Sequence, residues 1–477
     1  MKNKAFYHIF GYVLILLPVW SCTTPQYATR NENKSVPESY TNLSQDTLTI
    51  ANQNWREYFA DGNLTALIDT ALKNNQELNV ILQEIEVNNN ETLARKGAYL
   101  PFLNVGIGAG VDKTAQYTRL GAVEEQLSVT PGTAFPKPLQ DYYVGATVSW
   151  EIDIWGKLHN AEKSAVLRYL ASIEGKHFMV THLIAEISEA YYELMALDNL
   201  LDIIEKNIDI QSKALSVIKQ QKEFAKVTQL AVNRFEAQLL NTQNRRFAIK
   251  QKIVETENRI NFLTARFPKP IVRNSDRFLG LKLDSLHAGI PAQLLVNRPD
   301  IRQAEYALAA AKLDVEVAKA NFYPTLGIRA GIGFQAFNPA FLINPESLLY
   351  NIVGDLMAPL INRNALEAAY NTATVQQIQA VYRYEQTILN AYVDVLNQLS
   401  KLDNFSKSYE TKSKEVEILI ESVTIANNLF NSAKADYAEV LLTQREALEA
   451  KTDAVEIKLK QLQAKVNIYR ALGGGWR

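Results

Sequence analysis

Past residue 100 the chain sets apolar side chains at every second position. Val105, Ile107, Ala109 and Val111 fall on one face, with Gly106, Gly108, Gly110 and Asp112 on the other. Period two marks a strand with one face against something apolar. After Pro324 the alternation returns, with Leu326, Ile328, Ala330, Ile332 and Phe334 opposing Gly327, Arg329, Gly331, Gly333 and Gln335. Each has a return partner. Val144, Ala146, Val148, Trp150, Ile152 and Ile154 alternate with Gly145, Thr147, Ser149, Glu151 and Asp153, and a less regular run starts at Leu348. The pattern predicts strands at about 102–112, 143–154, 325–336 and 348–361.

The rest of the patterning is helical. No proline lies between Pro138 and Pro268, no glycine from Lys176 to Phe267, and neither from Leu360 to Leu472. These runs are rich in helix formers. Val180, Leu183, Ile184, Ile187, Tyr191, Leu194, Leu197, Leu201, Ile204 and Ile208 step by threes and fours, as coiled-coil packing requires. A helix of roughly 90 residues would be about 135 Å long, so each run is expected to fold back once. The chain also echoes itself. Lys96-Gly97-Ala98-Tyr99-Leu100-Pro101 is matched by Lys319-Ala320-Asn321-Phe322-Tyr323-Pro324, and Phe224-Ala225-Lys226-Val227-Thr228 by Ser432-Ala433-Lys434-Ala435-Asp436. The echoes imply two tandem halves, 63–267 and 297–477, joined by 268–296; the fold-back tips are expected near 225–228 and 433–436.

Asn104 to Thr114, NVGIGAGVDKT, has the glycines and Lys-Thr pair of a phosphate loop. Such a loop needs glycine before its Lys-Ser/Thr and a helix after it. Here Val111-Asp112 precede Lys113, and Gly121, Pro131, Gly132, Pro136 and Pro138 make the next stretch a loop. Strands of about ten residues, apolar on one face and small or polar on the other, instead fit a transmembrane β-barrel. Four strands are too few to close, since the smallest barrels have about eight. An open sheet in lipid leaves edge groups unpaired at several kcal/mol each, so other copies of the chain must complete the cylinder.

Composition narrows the function. The 50 Lys and Arg nearly balance 51 Asp and Glu, which leaves no basic footprint for nucleic acid. Five histidines without metal-ligand spacing and a single cysteine give no metal centre, no cofactor site and no Cys-His or Ser-His-Asp constellation for an enzyme. The cysteine has a positional explanation. Lys2 and Lys4, an apolar run from about Ile9 to Trp20, and Ser21-Cys22 lay out a secretory signal over 1–21. LLPVWSC resembles a lipobox, with Val19 and Trp20 as departures, so Cys22 is the expected lipidation site and 22–62 a lipid-anchored extension. A structural or adhesive periplasmic coiled-coil lipoprotein is the alternative; it would leave the four strands unexplained.

The stretches SWEIDIWGKLHNA at 149–161, RPDIRQAEYALAAAKLDVEVAKANFYPTL at 298–326, ADYAEVLLTQREALEA at 435–450 and YRALGGGW at 469–476 resemble the TolC-like outer-membrane factors, which include NodT-type lipoproteins. The likeness spans essentially the whole mature chain. It implies a mainly α protein with a membrane β-barrel portion: a trimeric α-β barrel with four transmembrane strands per protomer and long helices forming a periplasmic tunnel. It also implies a passive efflux conduit in the outer membrane, working with a periplasmic adaptor and an inner-membrane transporter of the RND class. The family's hairpin tips meet the adaptor. By that resemblance the contacting residues are Ala225, Lys226, Val227 and Thr228, with Ala433, Lys434 and Ala435; Ala225 and Ala433 stand where the family has glycine. The family also narrows its pore with acids just past the second tip. Glu439 holds one such position and Leu442 the next, with Asp436 and Ala438 beside them. Arg298-Pro299-Asp300 reads as a helix start and Gly473-Gly474-Gly475 as a helix stop.

Overall fold

The structure is a computed structural model that describes residues 24–40, 48–134, 136–281, 287–432 and 434–477. The expected signal, Cys22 and Ala433 lie outside the described residues. Three short helices come first: α1 (Trp55–Phe59), α2 (Gly62–Asn74) and α3 (Gln76–Ala98). Strand β1 (Phe102–Asp112) comes next, then a small helix α4 (Arg119–Glu124), a hairpin of β2 (Ser128–Thr130) and β3 (Thr133–Ala134), and the long strand β4 (Leu139–Ile152). Helices α5 (Lys157–Glu223) and α6 (Gln229–Leu263) end the first half. After α7 (Leu294–Asn297), the second half runs α8 (Pro299–Ala320), β5 (Thr325–Ala336), β6 (Leu348–Met357), α9 (Asn364–Asn431) and α10 (Tyr437–Ala471). The long helices have 67 and 35 residues in one half and 68 and 35 in the other.

Compactness divides the chain differently from this repeat. Among the described residues, one unit draws on 24–31, Glu86–Tyr169 and Tyr306–Val381, the other on Glu32–Ile85, Leu170–Glu305 and Tyr382–Arg477. Each takes pieces of both halves; in the first unit the pairing of β4 with β5 joins strands from the two.

The first unit holds an antiparallel sheet in the order β1-β4-β5-β6. Its register sorts the alternation onto two faces. Val105, Ala146, Ile332 and Tyr350 form one rung, Leu103, Val148, Ala330 and Ile352 the next; the opposite face carries Asn104, Thr147, Gly331 and Asn351, then Gly106, Gly145, Gly333 and Leu349. Leu349 and Val353 fall on the polar face, which is why the fourth strand alternates less cleanly. The strands differ from expectation at three ends. β4 begins at Leu139 and stops at Ile152, with Ile154 already in a turn, and β6 stops at Met357, ahead of Pro359, which has no N–H for a ladder. The stretch expected as loop after β1 contains α4 and the β2–β3 hairpin.

On the polar face, glycines make room for their neighbours. A Cβ on Gly145 would stand 2.4 Å from the Tyr143 hydroxyl, and one on Gly333 would meet Val144 O at 2.7 Å. Asn351 and Asp355 lie over Gly331 and Gly327 in the same way.

The second unit is built on the other parts of the long helices. Leu183, Ile184, Ile187, Tyr191, Leu194, Leu197 and Ile204 of the predicted stripe are buried. The joint between halves is pinned by ion pairs: Arg273 donates to Asp198 at 2.6 and 2.8 Å and to Glu257 at 2.6 Å, and Ser275 also donates to Asp198. The N-terminal extension is a strap with specific contacts. In the first unit Tyr27 packs edge-on to Tyr370, and Arg30 exchanges two hydrogen bonds with Gln377. In the second, Glu385 accepts from Asn33 N, Lys34 pairs with Glu305 at 2.7 Å, and buried Tyr40 stacks on Tyr392.

Candidate functional site

Two regions hold the residues on which transport would depend: the sheet in the first unit and the helical turns in the second. The sheet's apolar face is bare. Leu103, Val105, Ile107 and Val111 on β1 and Tyr350, Ile352 and Leu356 on β6 are all exposed, and among the described residues neither strand has a second neighbour. The opposite face carries Asp141, Glu151, Arg329, Gln335 and Asp355, with Arg329 3.3 Å from Asp355 and Gln335 2.9 Å from Asp141.

Where β4 passes into α5, the motif around Asp153 has a physical reason. Gly156 takes φ +71°, which a side chain would strain. Asp153 then accepts from the backbone N–H of Leu158 at 3.0 Å and of His159 at 2.8 Å, satisfying donors that a helix start leaves open. Burial raises its pKa, but these amides and the His159 ring outweigh it, so the carboxyl sits below its ordinary value. Two tryptophans frame the turn. Trp150 donates to Tyr99 O at 2.8 Å, while Trp155 donates to Pro324 O at 2.7 Å and stacks on Tyr323. An indole with its N–H matched and its ring half exposed suits an interface that is apolar on one side and wet on the other.

In the second unit both expected tips are turns between helices. Ala225 has φ +56°, a conformation that glycine adopts without strain. Ala225, Lys226 and Thr228 are exposed, and Thr228 caps α6 by accepting from Ala231 N; Val227 packs into the apolar cluster of Leu215, Ile218, Val232 and Phe235. Lys434 is exposed and Ala435 partly buried. Asp436 caps α10 through Ala438 N, and Glu439 and Leu442 are exposed in the first two turns of that helix. Phe430, Tyr437 and Leu441 pack on the same cluster as Val227, so the two turns come together.

Sequence reading missed the apolar residues left uncovered near the turns. Ile210, Val217 and Phe224 are exposed at seven-residue steps, as are Leu240, Phe247 and Val254 on α6, and Ile418 and Ile425 on α9. Heptad spacing is the mark of a coiled-coil seam. It was available in the sequence, hidden by the buried stripe on the same helices.

The profile of the outer membrane efflux protein family matches residues 67–266 and 290–474. The chain belongs to this family. It is 27% identical to the pyoverdine export outer membrane protein OpmQ of Pseudomonas putida over 90% of this chain and 89% of that one. It is 24% identical to the cation efflux system protein CusC of Escherichia coli O157:H7, covering 93% of both, and 26% identical to the toluene efflux pump outer membrane protein TtgI of Pseudomonas putida, covering 91% and 89%. Among solved structures, the open state of the Neisseria gonorrhoeae MtrE outer membrane channel superposes with a TM-score of 0.82 at 20% identity, covering 95% of this chain and 98% of that one. CusC superposes at 0.80 with 22% identity, covering 94% and 99%. The chain is an outer-membrane channel component of an efflux pump, in a family of channels and not of enzymes.

Proposed function

We propose that three copies of the chain form the exit duct of a tripartite pump: a twelve-stranded barrel in the outer membrane above a helical tunnel, passing small molecules without chemistry of its own. The observation that carries this reading is the four-stranded sheet, bare and apolar on one face and, among the described residues, unpaired at both edges. Pairing β6 of one copy with β1 of the next removes both edges, each unmatched group otherwise costing several kcal/mol in lipid. The heptad-spaced stripes on α5, α6 and α9 offer matching contacts between helices of neighbouring copies. The relatives are named for pyoverdine, toluene and cations, which argues that cargo is chosen outside this chain. Deleting the protein from its host is expected to sensitise cells to some of a panel of antibiotics, dyes and detergents; unchanged tolerance to all would falsify the pump role.

An adaptor docks at Ala225 to Thr228 and at Ala433 to Ala435 in this reading, beneath it an inner-membrane transporter of the RND class. Lys226 and Lys434 give each turn an exposed cation; Lys226→Glu with Lys434→Glu is expected to impair pump assembly, measured by adaptor pull-down. Three Glu439 carboxylates around an axis attract cations, while Leu442 one turn on narrows the passage. Glu439→Gln is expected to weaken cation preference in single-channel recordings, and an unchanged reversal potential would remove its role. Acyl chains on Cys22 contribute about 0.8 kcal/mol per buried CH₂, and the strap through Tyr27, Arg30 and Tyr40 lies just after it. The mass of the purified protein tests the acylation.

A further inference from the structure

The polar face of the sheet sets one cation against several acids. By register, Asp112, Asp141, Glu151 and Asp355 lie on that face, and among the described strand residues only Arg329 opposes them there. In the proposed barrel this face lines the bore. A cation then meets attraction all along it, and an anion meets one foothold.

Arg329 stands at a recess of about 290 Å³, lined also by Phe102, Ser149, Glu151, Gly327, Asp355 and Met357. Gly327 makes the room: Asp355 folds over it, and a Cβ there would stand 2.7 Å from Asp355 Oδ1. That oxygen is buried without a hydrogen-bond partner, while Oδ2 accepts from Arg329 at 3.3 Å. Glu151 is taken by Lys157, 2.5 Å away. The charges balance, yet they are unequally presented. Side-chain exposure is 67% for Arg329 against 27% for Asp355 and 39% for Glu151. Among the described residues the guanidinium makes no hydrogen bond besides the one to Asp355, so most of its five N–H donors stay open. An open guanidinium fork takes a carboxylate through two parallel bonds.

The walls supply an apolar contact. Phe102 and Met357 are both exposed, and pairing of edge strands between copies engages backbone groups while leaving side chains on their face. Ligand sites combine such walls with a few placed polar groups, usually in roughly 300–1,000 Å³. A recess of this size suits a small ligand.

We propose that the recess is a cargo subsite for small organic acids, in which Arg329 takes the carboxylate and Phe102 and Met357 the apolar body. The proposal deepens the conduit reading and rests on the polar face lining the bore. The subsite does not choose what enters; it lets anionic cargo cross an acidic stretch.

The test places the purified full chain in lipid nanodiscs and titrates it with naphthoate and naphthylmethylammonium, probes of similar size and opposite charge. Calorimetry, corrected with empty nanodiscs, reads binding, and block of single-channel current in planar bilayers reads occupancy of the bore. Naphthoate is expected to bind and block, and the ammonium to bind at least several-fold more weakly. Arg329→Gln is expected to weaken naphthoate binding about tenfold. Asp355→Asn, which removes the counter-charge and keeps a side chain over Gly327, is expected to tighten it several-fold. Equal naphthoate affinity in the parent and Arg329→Gln, or tighter binding of the ammonium than of naphthoate, overturns the proposal. Binding through Arg329 without block overturns the cargo role alone. Binding through Arg329 in a parent that conducts no current overturns the conduit reading with it, whereas a conducting parent that naphthoate neither binds nor blocks sinks the subsite and leaves the conduit standing.

Discussion

Ile107→Arg is expected to abolish the proposed trimer and, with it, efflux. Ile107 sits near the middle of β1, opposite Val144, and is 84% exposed in the single chain. A position so bare in an otherwise well-ordered sheet needs an apolar surrounding, and the family supplies one, the outer membrane. An arginine on the lipid face of a barrel costs about 2–4 kcal/mol near the bilayer midplane. Repeated in three copies, it removes roughly 6–12 kcal/mol, comparable to the whole stability of an ordinary domain. Its neighbour separates this from a general sensitivity of the strand. Gly108 points to the other face, where an added Cβ meets nothing within 4 Å. Gly108→Ser is therefore expected to leave trimer and efflux near wild type. Both variants are scored by gel mobility with and without heating and by susceptibility of complemented cells. A trimer that survives Ile107→Arg would mean that this face does not meet lipid.

The contrast between Ile107 and Gly108 was legible in the sequence because one dihedral rule, alternation, fixes a strand's two faces without any tertiary information. The paired halves were legible for a similar reason: proline, glycine and the echoed motifs mark where regular structure must stop. Strand ends were less so. Leu139 to Tyr142 sit beside Pro138 and look like loop, yet they pair with Ala109 to Asp112 because β1 extends far enough to receive them. The glycines of β4 and β5 were recognised as small and not as recesses, since Tyr143, Asn351 and Asp355 reach them across the sheet register. Gln211 and Gln444 were invisible for a deeper reason. A glutamine in a long helix is ordinarily a surface residue, and only the packed helices show these two buried. The residues taken from the family likeness, Glu439 and Leu442 above all, are placed at a helix start, where the fold accounts for an acid by itself.

Arg298→Met is expected to be the most damaging single change in the second unit. Arg298 is 8% exposed, and its guanidinium donates to both oxygens of Asp300, at 3.0 and 2.7 Å, and to Ala471 O at 2.8 Å, with Asp394 3.6 Å away. Burial works against its charge, and Asp300 and Asp394 more than offset that. Methionine of similar length fills the space but leaves the Asp300 carboxylate without its cation and Asp394 with Arg470 alone, 3.8 Å away. Breaking one side of a buried ion pair costs about 3–5 kcal/mol. Part of the loss falls on the last helix, whose carbonyl at Ala471 is matched by Arg298 just before Gly473 turns the chain at φ +86°. Arg298→Lys keeps the charge and loses the fork, so it is expected to recover only part of the stability. The same cluster carries a pH dependence. Burial, together with Arg470, holds the His182 imidazole below its ordinary value of 6.5, with Asp300 and Asp394 pulling the other way and Arg298 adding to the depression. The unfolded chain then binds the proton first as pH falls, so this histidine's contribution to stability is intact above pH 6.5 and declines below it. Removing Arg298 takes away one of the cations that depress His182 and leaves two carboxylates that raise it, which brings the folded-state value nearer the ordinary one and flattens that decline. Thermal unfolding of both proteins between pH 5 and 8 reads the two effects together: a large drop for Arg298→Met at every pH, and a shallower slope below pH 6.5 than in the parent. A variant that unfolds at the parent's temperature would show that Asp300 and Ala471 do not depend on this guanidinium.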